Sequence, residues 1–297
     1  RDRYLADQRG YFKQEGLNVD FIPLSSDADQ TAALLSNSIQ FETGATTAAQ
    51  FNADGRGIAV KLVAAQSEFQ PPDDANAALV VRQDLFDSGR YKEPKDLKGM
   101  TVASTGSGSA GDMYLERIAN SAGLKLSDLN VTVVPIPDVP TALGNKKVDA
   151  AWTFEPFITI GKLQGFAKVA VPVGKILSAR ANPAVLVGNA KFLSEQPEAA
   201  KRFITAHLRG QRDYYDAFEA GKADKAPVIQ VLTTHTPIKD AQMFNTMYMH
   251  HVDPNGAIDE QELALEQDYY LKTGVEKQRI DLPQFVDRSY IQYCLLY

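Results

Sequence analysis

Gly106, Gly108 and Gly111 stand in the spacing G-x-G-x-x-G directly after the apolar run 100–103, the pattern in which a strand turns into a helix and cradles a phosphate. A dinucleotide site also needs an acidic residue at the end of the next strand, about 20 residues on, to hold the ribose. Asp128 precedes the next apolar run, 131–136, and Asp138 lies beyond it at a longer spacing, while no Gly-Lys-Ser/Thr follows the glycines. The nucleotide reading therefore fails. What remains is a turn in which Ser104, Thr105, Ser107 and Ser109 offer hydroxyls and backbone N–H groups at a helix N-terminus, where an anion is favoured. The same residues equally suit a helix cap with no ligand.

Thr43, Gly44, Ala45, Thr46 and Thr47 repeat the design: small residues at a strand-to-helix junction let a ligand approach the backbone. The segment W-T-F-E-P-F, residues 152–157, holds the only tryptophan. Trp152 and Phe154 would line a pocket with Glu155 as a hydrogen-bond acceptor, or else pack in a core. Asn182, with Arg180, precedes the apolar run 184–188 and reaches a cleft or decorates its rim.

Catalytic chemistry is thinly represented. The four histidines, His207, His235, His250 and His251, show no i, i+4 ligand pair, and no Gly-x-Ser-x-Gly elbow occurs. The single cysteine, Cys294, excludes an internal disulfide and reads as structural. No metal site and no cofactor are expected. A net charge of −6 without a Lys/Arg block argues against nucleic acid. No stretch approaches the roughly 18 apolar residues of a membrane span, so the chain is expected to be cytosolic or a processed, exported product.

The elements that position these loops alternate. Residues 5–15 read as a helix closed by Gly16, 18–23 as a strand, 39–42 as a strand into the first loop, 46–54 as a helix and 58–64 as a buried strand. Further strands are expected at 77–82, 100–104, 131–136, 148–152, 167–172 and 184–188, with helices between them and dominating from Lys191 onward. This is an α/β pattern with largely parallel sheets, which bind ligands at the carboxyl ends of their strands. All three loops lie at such ends.

The run YLADQRGYFKQEGLNVDFIPLSSDADQTAALLSNSIQFETGATTAAQF resembles the N-terminal half of the nitrate/sulfonate/taurine-type (SsuA/THI5-like, NMT1) substrate-binding proteins of bacterial ABC importers. DLKGMTVAST with its Ser/Gly turn, VDAAWTFEPF and the closing LPQFVDRSYIQ are similar to that family too. The resemblance implies a two-lobed periplasmic binding fold of type II, with mixed, mostly parallel sheets flanked by helices and a ligand cleft between the lobes. Residues 1–82 and 184–297 would form an outer lobe and 83–183 a middle lobe, with crossing strands near 77–82 and 184–188.

The resemblance further implies that the loops at 43–47, 104–110 and 152–157 contact ligand, hydroxyls and amides of the first two holding an anionic head. The implied function is that of an extracytoplasmic solute-binding protein and not an enzyme. Its partners would be a small organic anion and a cognate permease in the inner membrane; the chain would be monomeric, in the periplasm or lipid-anchored, and exported by a signal peptide absent here. The chain begins after the family's first strand and first ligand loop, and Glu155-Pro156 stands where several sulfonate binders carry Asp-Pro. A carboxylate beside the pocket disfavours a small inorganic anion, so an alkyl or aryl sulfonate or carboxylate is preferred to nitrate. The alternative is a receptor for a pyrimidine or other heteroaromatic precursor, with Trp152 and Phe154 stacking a ring and Glu155 accepting from an amine. A THI5-like pyrimidine synthase, which pairs a cysteine-rich motif with iron and pyridoxal phosphate, fits poorly beside one cysteine.

Overall fold

A computed structural model describes residues 2–24, 27–57, 60–104, 106, 109–236 and 238–295, the side chains of residues 27 and 28 excepted. The chain divides into two compact units: Arg1–Glu68, Ala181–Ala241 and His250–Tyr297 form the first, and Phe69–Arg180 with Gln242–Met249 the second. The expected changeover at residue 82 falls instead at 68/69, and the segment Gln242–Met249 adds an excursion that the apolar pattern does not signal.

In the first unit the strands β1 (Phe41–Gly44), β2 (Val60–Phe69, whose last residue belongs to the second unit) and β8 (Ala181–Asn189) form a sheet of order β1-β8-β2. β1 runs antiparallel to β8, with Phe41 opposite Gly188 and Gly44 opposite Val185. The core joins Val63, Ala64 and Leu186 to Ala200, Ile204 and Leu208, which recur every four residues along the helix Pro197–Phe218 and so share one face. The helix Asp2–Gln8 crosses that helix at Gly210, where an added Cβ would stand 2.4 Å from the Asp2 carbonyl oxygen. Only glycine admits this approach.

The second unit holds β3 (Ala77–Arg82), β4 (Thr101–Ser104), β5 (Asn130–Val133), β6 (Ala150–Phe154) and β7 (Ala167–Pro172) in the order β5-β4-β6-β3-β7. β4 is parallel to β5 and β6, while β3 is antiparallel to β6 and β7. The sheets are thus mixed, with less parallel pairing than the alternating pattern suggests. Parallel neighbours arise where a helix returns the chain to the same end, and β3 reaches its neighbours without such a unit. β3 is buried along its whole length, so the strand expected to cross between lobes is an inner strand of the second unit.

Two local expectations change. The helix expected over 5–15 breaks at Gly10, whose φ of 71° is left-handed, into Asp2–Gln8 and Tyr11–Gln14. The alternating run at 18–23 pairs with no strand; Val19 and Phe21 pack on Ala6, Phe12 and Ala206. Alternation there reports one face on a helical layer.

Candidate functional site

In the first unit β1 ends at Gly44, and Thr47 caps the helix Ala48–Asp54: its hydroxyl accepts from Gln50 N at 3.3 Å while Gln50 Oε1 accepts from Thr47 N at 3.0 Å. Ala45 and Thr46 lie between. The Thr46 hydroxyl donates to the Glu266 carboxylate, and its carbonyl accepts from Tyr270 at 3.3 Å. Both partners come from the helix Glu260–Thr273. Gln50 also donates to the buried Glu42. Thr43 accepts from the Arg3 guanidinium, and Arg3 was not singled out by type or spacing. Asn182, at the start of β8, donates to the Ser67 carbonyl at 3.3 Å and accepts from Asp259 N at 2.7 Å, which ties two segments of this unit together.

In the second unit β4 ends at Ser104. Thr105, Ser107 and Gly108 lie outside the described residues. Gly106 has a φ of 138°, open to glycine alone, and Ser109 caps the helix Ala110–Ser121 by accepting from Asp112 N at 3.3 Å. The buried Ser104 hydroxyl donates to the Asp112 carboxylate and accepts from Gly106 N at 3.3 Å. A negative charge of the protein's own therefore already sits in the first turn of this helix.

β6 delivers the aromatic cluster. Trp152 is only 1% exposed, so it belongs to the core and offers no open wall. It stacks on Tyr114 at 5.0 Å between ring centroids and meets Phe154 edge-on at 6.1 Å. Its Nε1–H is buried with no acceptor among the described residues. Phe154 is the half-buried ring.

Glu155, expected as an acceptor for ligand, is engaged by the fold. Its carboxylate accepts from Thr159 N at 3.0 Å, from the Thr159 hydroxyl at 2.9 Å and from Tyr248 N at 3.3 Å. Asn76 completes the attachment by donating to the Tyr248 carbonyl at 3.2 Å, which fastens the excursion Gln242–Met249 to this unit. Burial pushes the Glu155 carboxyl above its ordinary range against the lowering effect of these hydrogen bonds. No sequence signal links residues 155 and 248.

Cys294 is buried, shares a hydrogen bond with Thr205 at 3.3 Å, and burial pushes its thiol up, the opposite of an activated nucleophile. Among the described residues no group of three or more His, Cys, Asp or Glu side chains is placed to hold a metal ion, and no helix is long and apolar enough to cross a membrane.

Residues 2–219 match the family model described as NMT1/THI5 like. The chain belongs to that family. A Brucella abortus (strain 2308) relative, provisionally named a binding protein, is 28% identical over 207 residues, which cover 67% of this chain and 58% of the relative. The match thus spans little more than half of that relative's length. The periplasmic aliphatic sulphonate-binding protein SsuA of Escherichia coli superposes with a TM-score of 0.74 at 17% identity, covering 97% of this chain and 88% of its own. The desulfurization enzyme DSZB superposes with a TM-score of 0.69 at 16% identity, covering 100% and 96%. The fold is shared by a binding protein and an enzyme, so chemistry must be argued from residues.

Proposed function

We propose that this member of the NMT1/THI5-like family is an extracytoplasmic solute-binding protein of an ABC importer, and that its ligand is a small organic anion of sulfonate or carboxylate type. The observation that carries this reading is the repeated junction: β1 in one unit and β4 in the other each end in a small-residue loop that caps a helix at the carboxyl end of the strand. Thr43, Gly44, Ala45, Thr46, Thr47, Ser104, Gly106, Ser109, Phe154 and Asn182 keep their proposed place around the ligand, the amides and the free edge of Phe154 counting for more than hydroxyls already donated to carboxylates. Its partners would be that ligand and a membrane permease, with the chain acting as a monomer in the periplasm or on a lipid anchor.

The carboxylates of Glu266 and Asp112 beside the two loops weigh against nitrate and favour a ligand with apolar bulk. The unpaired Trp152 N–H supports a second reading, a heteroaromatic precursor whose ring nitrogen accepts from it. Thermal-shift titration with ethanesulfonate, benzenesulfonate, benzoate, nitrate and 4-aminopyrimidine separates the two: a sulfonate or carboxylate should stabilise most, and stabilisation by the pyrimidine alone replaces the first reading with the second. Desulfination of the kind suggested by the DSZB neighbour, solved with biphenyl-2-sulfinic acid, is tested by sulfite release from that compound, and none is expected.

A further inference from the structure

We propose that Arg3 binds the anionic group of the ligand in the first unit, with the Thr43 hydroxyl as its companion; this rests on the reading of the chain as a receptor for an organic anion. The hydroxyls that the sequence offers for an anion are poorly disposed toward one. Thr46 donates to Glu266 and Ser104 to Asp112, so an incoming anion at either hydroxyl would meet a carboxylate. Thr43 differs: its oxygen accepts from Arg3 Nη1, which leaves its own proton free to be donated.

Arg3 lies on the helix Asp2–Gln8, half withdrawn from solvent. Nη2 donates to the Tyr4 hydroxyl at 3.4 Å, and Cζ stands 4.8 Å from the centre of the Tyr4 ring. Among the described residues no carboxylate pairs with it, whereas Arg9 on the same stretch of chain meets Asp213 at 3.3 Å and Arg82 meets both Asp84 and Asp149. A guanidinium always carries its charge and five fixed donors, and Thr43 and Tyr4 engage one each. A half-buried cation so held, with donors to spare and no counter-ion, is a receptor for a sulfonate or carboxylate, which it can grip with two parallel hydrogen bonds. Tyr4 fixes the guanidinium plane, and is itself held by stacking on His235 at 4.9 Å and by Phe21 at 5.6 Å. Glu266 at the Thr46 end of the loop then fixes polarity: the anionic group belongs at the Arg3 end.

The test is calorimetric titration of the full chain with benzenesulfonate, benzoate and inorganic sulfate, with thermal melting of each variant alongside. Arg3→Gln should weaken the tightest of these probes by about ten- to a hundredfold, the scale of a lost charged hydrogen-bond pair, with Tm unchanged. Arg9→Gln, which removes the same charge from the same stretch, should leave affinity within about twofold. Undiminished affinity in Arg3→Gln overturns the proposal alone. Absence of binding by all three probes in the unaltered chain overturns the receptor reading and the proposal with it. If Arg3→Gln also lowers Tm, Arg3→Lys decides: partial recovery of affinity upholds a charge contact, and none overturns it.

Discussion

The loop after β1 and the loop after β4 are built alike and wired differently. Each caps a helix with a hydroxyl residue, Thr47 or Ser109, and in each a second hydroxyl donates to a carboxylate. In the second unit that carboxylate is Asp112, eight residues on and in the first turn of the very helix being capped. In the first unit it is Glu266, 220 residues away. One loop is therefore a local device that neutralises its own helix end, and the other is stitched together by distant chain. Their surroundings diverge in kind as well: a guanidinium beside Thr43, a stack of rings beyond Ser104. Similar turns thus suit charge recognition in one unit and shape recognition in the other.

The largest expected effect lies on the aromatic side. Trp152→Ala removes a fully buried ring stacked on Tyr114 and should cost about 3–5 kcal/mol, read as a fall in Tm by calorimetry. A loss below about 1 kcal/mol would mean the ring packs in no core, against the burial described here. Next, Ser104→Ala and Thr46→Val should each cost about 1–3 kcal/mol by leaving a carboxylate short of a donor. Hydrogen exchange separates them: protection should fall within Ala110–Ser121 for the first and within Glu260–Thr273 for the second, and coincident patterns would erase the distinction between local and distant wiring.

Smaller still, Thr47→Ala and Ser109→Ala should each lose about 1 kcal/mol as caps; unequal losses would show that the reciprocal Gln50 contact, which Ser109 lacks, matters. The smallest effect is electrostatic. Hydrogen bonds from Arg82 and Lys146 bring Asp84 from 3.8 down to about 2, so its contribution is present above pH 4 and lost as pH falls toward 2. Glu155 has the opposite sign: raised by burial, it favours the fold while protonated, and that gain disappears as pH rises through its folded value. In acid melts Asp84→Asn should flatten the loss below pH 4, modestly because Asp84 is 45% exposed, and Glu155→Gln should remove the decline above the glutamate range.

Strand-to-helix junctions were legible because small residues follow an apolar run, and Gly106 indeed takes a conformation that needs glycine. The partners of those junctions were not. Glu266 on Thr46, Arg3 on Thr43 and Tyr248 on Glu155 join residues that share no period or spacing. Trp152 shows the other limit: pattern alone cannot tell a ring lining a pocket from one closing a core, and the burial of β6 decides it. The excursion Gln242–Met249 was invisible for the same reason, since what holds it is a carboxylate some ninety residues earlier in the chain.

The sheet order β1-β8-β2 places the last-made strand in the middle. As the chain emerges from the ribosome, β1 and β2 have no ladder partner until residues 181–189 appear, and the second unit lacks its fastening at Tyr248 until later still. Neither unit can finish before the other has begun, so a nascent chain stalled between residues 69 and 180 exposes two unpaired strands and a wet apolar face. Completion of this fold is scheduled by synthesis, and its early half is the part that most needs protection from its neighbours.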